Sequence, residues 1–310
     1  MGFKLTILGS NSARPILARR PSAQVLQINE ELFLIDCGEG TQLQMLKYGI
    51  KASKINRIFI SHLHGDHYLG LVGLLDTLAL SERKAPMYIY GPPMLEQIIA
   101  LHHQISGFRA PYPIIFQALT ADQSCVIYET TELNVSTVVL SHRVPCTGFV
   151  FREKPLQRRI LKSKIIEYNI PFADIPSLKQ GNNYTLPNGQ TLPNSELTDA
   201  NRAPYSYAYC SDTAYSIDIL PSIEKVSVLY HEATYLDDKA AKAVARGHST
   251  AKEAASIALQ ANAKRLILGH YSSSYQDISL FLTESRPIFP QSYLAIEGKV
   301  YDFGNEEWTD

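Results

Sequence analysis

The sequence predicts an α/β (α+β) fold in which two packed β-sheets are flanked by helices, within one catalytic domain spanning residues 1–310. Three observations carry that expectation. Strand-like runs recur in both halves of the chain, helix-like stretches separate them, and the chemistry-bearing residues fall where strand-like runs end. Layered α/β folds build their sites at strand termini.

Taken in order, Phe3 to Leu8 reads as the first core strand, followed by Gln24 to Ile28 and Leu32 to Ile35. Arg57 to Ser61 reads as a buried strand and Tyr68 to Leu80 as an apolar helix. Further strands are expected at Leu133 to Leu140, Tyr205 to Cys210, Lys225 to Tyr230 (with Val226 to Tyr230 its apolar part) and Arg265 to Leu268. Thr250 and Glu253 have the spacing of a capping box, so a helix should begin there and run to Ala261, its positive dipole end and free backbone donors near His248. Gly181 to Tyr184 and Pro187 to Gly189 are turn-rich and suit a hairpin.

Between the strand at Arg57 to Ser61 and the helix after it lie His62, Leu63, His64, Gly65, Asp66 and His67. Three imidazoles and a carboxylate in six positions have the character of a metal site, with material for two ions. Gly65 would permit the sharp backbone path that lets neighbouring side chains converge. Six residues cannot complete two coordination shells. The distant partners are sought at the other strand ends: His142 after Leu140, Asp212 after Cys210, and His270 after Leu268.

The spacing of this cluster and its three distant partners resembles the metallo-β-lactamase superfamily, which implies an αββα sandwich. By that resemblance His62, His64 and His142 would hold one zinc ion, Asp66, His67 and His270 a second, and Asp212 would bridge them. The same donors would accept Mn²⁺. Two divalent ions less two aspartates and a bridging hydroxide leave roughly one positive charge, suited to a monoanionic phosphodiester. Metal binding lowers the pKa of a bound water toward about 7.

Three further segments narrow the resemblance. His231-Glu232-Ala233-Thr234, His248-Ser249-Thr250 and Phe151-Arg152-Glu153-Lys154 are similar to signatures of tRNase Z (ribonuclease Z), in its short form, and the likeness runs over nearly the whole chain. That family consists of zinc-dependent endoribonucleases that remove the 3′ trailer from precursor tRNA and leave a 3′-hydroxyl on the tRNA. The resemblance implies that Asp66 accepts a proton from the attacking water. His248, oriented by Glu232, would protonate the leaving 3′-oxygen. It also implies a tRNA-binding arm inserted at residues 150–192, and a homodimer in which one subunit's arm grips the tRNA cut by the other. In the arm, Arg152, Lys154, Arg158, Arg159, Lys162 and Lys164 are candidates to neutralise tRNA phosphates. In the loop after the first strand, Arg19 stands at the family's arginine, whereas Leu17 and Arg20 replace its lysine and asparagine; Arg19 or Arg20 would contact RNA.

Composition bounds these expectations. A net charge of −1 advertises no long-range attraction for nucleic acid, so any RNA grip must be local. Cys37, Cys125, Cys146 and Cys210 form no Cys-x-x-Cys pair, which fits a reducing cytoplasm better than a disulfide framework or zinc ribbon. The apolar stretch Tyr68 to Leu80 is too short to cross a membrane, and the N terminus shows no signal-peptide pattern. Met1-Gly2 with Thr6 fits the loose myristoylation pattern but leads straight into a core strand.

The alternative is another dinuclear-zinc hydrolase of the superfamily: a glyoxalase-like thioesterase, a lactonase or a small-molecule phosphodiesterase. None of these accounts for both the Glu232 and the His248 segments. A secreted β-lactamase usually has Cys where Asp212 stands. The branch that also processes DNA needs an inserted domain between its later motifs, for which the 58 positions from Asp212 to His270 leave no room, so no DNA substrate is expected. A non-catalytic RNA-binding relic would have lost ligands, and none is missing.

Overall fold

Eighteen strands organise the described residues, which in this computed structural model are 2–107, 109–305 and 307–309. In chain order they are β1 (Phe3–Gly9), β2 (Ala23–Ile28), β3 (Glu31–Cys37), β4 (Ile55–Phe59), β5 (Met87–Gly91), β6 (Ile114–Ala118), β7 (Val126–Glu129), β8 (Leu133–Leu140), β9 (Cys146–Glu153), β10 (Arg159–Ile160), β11 (Tyr184–Thr185), β12 (Thr191–Leu192), β13 (Thr198–Asp199), β14 (Ser206–Cys210), β15 (Val228–Glu232), β16 (Leu266–Gly269), β17 (Ser292–Leu294) and β18 (Val300–Asp302). One seven-stranded sheet has the order β18-β1-β2-β3-β4-β5-β6, the other β17-β16-β15-β14-β9-β8-β7. Strands β3 to β6 run parallel, as do β14 to β17, so each sheet brings several carboxyl ends to one edge.

The chain forms two compact units. Met1–Ile127, Val135–Phe151 and Ser206–Asp310 make the first, Tyr128–Asn134 and Arg152–Tyr205 the second. In the first unit the helices α1 (Thr41–Lys47), α2 (Gly65–Tyr68), α3 (Leu71–Leu80) and α4 (Pro93–Ser106) follow strands of the first sheet. Leu71, Leu74, Leu75, Leu78 and Ala79 of α3 repeat at helical spacing and bury one stripe, with Met45 and Leu95, against Val25, Leu34, Ile58 and Ile89. The opposite face of that sheet meets the second sheet through aromatic rings: Phe59 lies 5.3 Å from Phe149 and Phe33 5.6 Å from Phe151, centroid to centroid. A helix over Ala251–Gln260 covers the far side of the second sheet with Ala254, Ala255, Ile257 and Ala258 buried. The layers are therefore helix, sheet, sheet, helix, the αββα sandwich.

Several expected boundaries move by a few residues. The strand expected at Arg57 to Ser61 begins at Ile55 and ends at Phe59, and the helix expected from Tyr68 breaks at Leu69 and Gly70 before resuming at Leu71. Close approach causes the break: Gly70 donates its N–H to the Cys37 carbonyl at 2.9 Å, and a Cβ there would lie 2.2 Å from the Gly38 carbonyl oxygen. Gly65 is helical, not a sharp turn, and its lack of a Cβ makes room for the Leu69 side chain. The capping box forms as expected, with Thr250 Oγ1 accepting from Glu253 N at 3.2 Å. The N–H of Ala251 is not free, since it donates to the Tyr235 carbonyl at 3.0 Å.

The second unit holds residues 152–192 of the expected arm together with 193–205 and 128–134. It has its own small core of Ile170, Leu178, Leu192 and Leu197. Strand β10 pairs with β13, and β11 pairs with β12 in a hairpin around Pro187 to Gly189. At its base Arg202 forks onto Glu153 at 2.6 and 2.8 Å, and Glu153 N–H donates to the Tyr205 carbonyl at 2.9 Å. Among the described residues no helix is long and apolar enough to cross a membrane.

Candidate metal centre

The seven residues expected to ligate metal converge in the first unit: His62, His64, His142 and Asp212 form one group of donors, Asp66, His67 and His270 another, and a third joins Asp212 and His270 to Glu232 and His248. In the first, His64 Nδ1 lies 3.0 Å from His62 Nε2 and 3.3 Å from His142 Nε2, and Asp212 Oδ2 lies 3.6 and 3.7 Å from the same two Nε2 atoms. Around the second, Asp66 Oδ2 stands 3.5 Å from His67 Nε2 and 3.3 Å from His270 Nε2, and Asp212 Oδ1 stands 3.3 and 3.2 Å from those two nitrogens. Donors about 2.0–2.2 Å from one tetrahedral ion are separated by about 3.3–3.6 Å. Each oxygen of Asp212 thus faces a different group. His67 Nε2 and Asp212 Oδ1 are buried without a hydrogen-bond partner, a costly arrangement unless a cation lies between them.

In four of the five histidines the ring nitrogen that points away from the centre is held. His67 Nδ1 pairs with Asp36 Oδ2 at 2.7 Å, His142 Nδ1 donates to the Gly247 carbonyl at 2.7 Å, His62 Nδ1 meets Ser61 Oγ at 3.0 Å and His270 Nδ1 meets Thr234 Oγ1 at 2.9 Å. Such outer partners fix tautomer and ring plane. Asp36, which the sequence reading missed, is fully buried and also accepts from Ser61 N, Ser61 Oγ and Tyr209 Oη at 2.8, 2.9 and 2.6 Å. Its signal was a lone carboxylate ending the apolar run Leu32 to Ile35. Asp36 and His270 are non-glycine residues at φ 55° and 61°, two of the eight such positions among the described residues.

Electrostatics follow from this crowding. Burial opposes charge on Asp212, but His270, His67 and His62 outweigh it and hold its carboxyl well below the usual range. Burial likewise opposes charge on His67, yet Asp212, Asp66 and Asp36 raise it well above an ordinary histidine. His62 is lowered by its own burial and by His67. The site favours bound positive charge, which divalent ions would supply.

Beside the cluster, His248 Nδ1–H donates to Glu232 Oε1 at 2.7 Å. Glu232 is fully buried and accepts from Thr213 N at 2.9 Å, Thr234 N at 3.0 Å and Thr234 Oγ1 at 2.7 Å. One carboxylate therefore orients His248 directly and His270 through Thr234. Burial works against protonating His248, but Glu232 prevails and pushes its pKa up to about 9. His64, Asp66, Asp212, His248 and His270 all border one cleft of about 340 Å³, with Arg143, Arg246 and the loop residues Ser12, Ala13 and Pro15. The Ala13 N–H donates to Asp66 Oδ2 at 2.7 Å.

The basic candidates fare differently. Arg19 is buried, its Nε bonded to Asn11 Oδ1 at 3.0 Å and its Nη2 to the Tyr275 carbonyl at 2.8 Å, so it braces the loop from inside. Arg20 curls back onto the Ile16 carbonyl at 2.5 Å. In the second unit Lys154 pairs with Glu129, Arg159 with Asp199 and Lys164 with Glu167, at 2.6, 3.1 and 2.7 Å. Arg158 bonds Thr198 Oγ1 at 2.6 Å, Arg152 is half-buried, and Lys162 is exposed.

A family model described as anti-Pycsar protein Apyc1 matches residues 3–110. The Ribonuclease Z of Cytophaga hutchinsonii is 43% identical over 302 residues, 97% of this chain and 96% of that protein. The Ribonuclease Z of Bacteroides fragilis is 39% identical over 295 residues, 95% of this chain and 97% of that protein. The chain belongs to the ribonuclease Z family. Human tRNase Z, short form, superposes with a TM-score of 0.72 at 28% identity, covering 96% of this ribonuclease Z and 98% of the human chain. The metallo-β-lactamase fold protein YhfI from Bacillus subtilis shares the fold, with a TM-score of 0.67 at 19% identity over 97% and 98% of the two chains. As a ribonuclease Z the protein is a metal-dependent endoribonuclease of the metallo-β-lactamase superfamily, and its histidine-aspartate cluster is suited to metal.

Proposed function

We propose that this ribonuclease Z cuts precursor tRNA on its 3′ side, releasing the trailer and leaving a 3′-hydroxyl on the tRNA. The observation that carries the reading is the buried Glu232–His248 pair opening onto the same cleft as the converging metal donors. A thioester, whose thiolate departs readily, needs no such acid at its leaving group, whereas a ribose 3′-oxygen does.

His62, His64 and His142 would hold one zinc ion, Asp66, His67 and His270 the other, and Asp212 both; Mn²⁺ suits the same donors. The two unpartnered atoms of His67 and Asp212 support that fit. Such ions, when bound, neutralise a phosphodiester and make water nucleophilic near neutral pH. Asp66 accepts the proton of the attacking water, its Oδ2 kept in place by the Ala13 N–H. His248 delivers a proton from Nε2 to the departing 3′-oxygen, and Glu232 stabilises the imidazolium while holding Nδ1.

The second unit serves as the handle for the body of the tRNA. Its exposed ion pairs are screened by solvent and contribute little, so RNA phosphates can displace Glu129, Asp199 and Glu167 from Lys154, Arg159 and Lys164. The enzyme acts as a homodimer, as the family resemblance implies. It works in the cytoplasm, in keeping with four free cysteines. Incubation with a 5′-matured precursor tRNA and mapping of the cut tests the reading: a single cut at the 3′ side of the acceptor stem is expected, and no cleavage by metal-loaded protein would refute it.

A further inference from the structure

Two arginines border the catalytic cleft without a partner of their own. Arg143 directly follows His142, and Arg246 ends a helix over Ala240–Arg246, two residues before His248. Both are exposed, both line the cleft that contains Asp66, Asp212 and His248, and among the described residues neither makes an ion pair or a side-chain hydrogen bond. The turns that carry them are fastened together. Gly247, at φ 68°, gives its carbonyl to His142 Nδ1 at 2.7 Å, and a Cβ on Gly247 would lie 3.4 and 3.5 Å from Arg143 Cγ and N. Both arginines therefore start from backbone fixed at the His248 side of the cleft.

Local cations matter here because the net charge of −1 gives no general pull on RNA. The carboxylates of the centre are already engaged by imidazoles and backbone donors, which leaves these guanidinium groups available to an incoming anion. A guanidinium forks onto a phosphate with two parallel N–H bonds, which an ammonium cannot do.

We propose that Arg143 and Arg246 clamp the phosphodiester immediately 5′ of the last nucleotide retained on the tRNA. The assignment rests on the function proposed above, which puts His248 at the leaving 3′-oxygen; groups beside His248 then face the retained side of the cut, where that phosphate is the first charge encountered. The two arginines are positioning residues that set the scissile bond in register with Asp66 and His248. They hold a phosphate and read no base, so the clamp serves every tRNA alike.

A charge-deletion cycle tests this. Arg143→Ala combined with Arg246→Ala should raise KM for precursor tRNA about 10- to 100-fold, more than it lowers kcat, and should flatten the dependence of log KM on log salt by roughly 0.7 for the lost single-strand phosphate contact. Replacing the phosphodiester 5′ of the last retained nucleotide by a neutral methylphosphonate should cost the wild-type enzyme a similar factor and cost the double variant nothing further. The Arg143→Lys, Arg246→Lys pair should keep the salt slope and recover only part of the affinity. Full additivity of the two changes, an unaltered KM, or non-additivity with the first trailer linkage instead would overturn the clamp. Wild-type protein that leaves precursor tRNA intact would overturn the underlying function itself, an outcome distinct from cleavage insensitive to both arginines.

Discussion

At the residue scale, Glu232 and Asp36 are buried carboxylates that each hold an imidazole, His248 and His67 respectively. Positioned proton donation typically supplies about 10² to 10⁴ in rate, so His248→Ala should lower kcat on precursor tRNA by that order while metal content stays normal. On a nitrophenyl phosphodiester, whose leaving group needs little protonation, the loss should be far smaller; equal loss on both, or loss of metal, would refute the acid role. Asp36 instead acts on the centre through His67, 2.7 Å away. Asp36→Asn should weaken metal affinity about 10- to 100-fold in chelator competition, the range set by outer partners of metal-binding histidines, and unchanged affinity would remove Asp36 from the site. The convergence of the histidines and aspartates was legible because metal chemistry needs rare residue types at short spacing. Asp36 was not, because a single carboxylate at a strand end gives no sign of the four hydrogen bonds it will accept. Arg19 shows the converse: sequence gives it a charge to offer, and only packing reveals that Asn11 and Tyr275 already receive its donors.

At the scale of elements, strands and helices were legible where periodicity and capping agree, as at Thr250, whose side chain and Glu253 close the expected reciprocal pair. The break before α3 was not, because it depends on Gly70 touching Gly38, a contact between segments remote in sequence. The short strands β10 to β13 carry too few residues for any periodic signal, and the second unit accordingly extends past the expected arm to Tyr205. That extent decides how the arm should be removed. A deletion stopping at Pro187 would leave Leu192 and Leu197 without Ile170 and Leu178, the other members of their core. Replacing residues 154–204 by a short Gly/Ser linker joins Glu153 and Tyr205, whose backbones already bond at 2.9 Å. This variant should lose precursor-tRNA cleavage by orders of magnitude more than bis-p-nitrophenyl phosphate hydrolysis, since grip on distant phosphates is sequence-independent and additive. Equal losses would show that the segment supports the catalytic core and is no handle.

At the scale of the whole molecule, the donors come from positions as far apart as His62 and His270, and the two sheets meet through Phe33, Phe59, Phe149 and Phe151, so the centre exists only when the sandwich is complete. The αββα layering was legible because strand signals in both halves needed helices outside and apolar faces inside; strand order was not, because β18 joins β1 from the far end of the chain. Buried Asp36, Asp212 and Glu232 and half-buried Asp66 repel one another across this junction of sheets, and bound cations relieve that repulsion in the folded state alone. Metal should therefore stabilise the whole fold, by about 4 kcal/mol for an ion at a thousand times its dissociation constant. Elemental analysis of purified protein should give about two transition-metal ions per chain, since seven converging histidine and aspartate donors exceed what one tetrahedral ion takes. Stripping them with a chelator should lower the melting temperature, and returning Zn²⁺ should restore it in step with free metal concentration. A melting temperature indifferent to Zn²⁺ would mean that the carboxylates are balanced by protonated imidazoles alone, and a single ion per active chain would confine Asp212 to one of the two groups it faces.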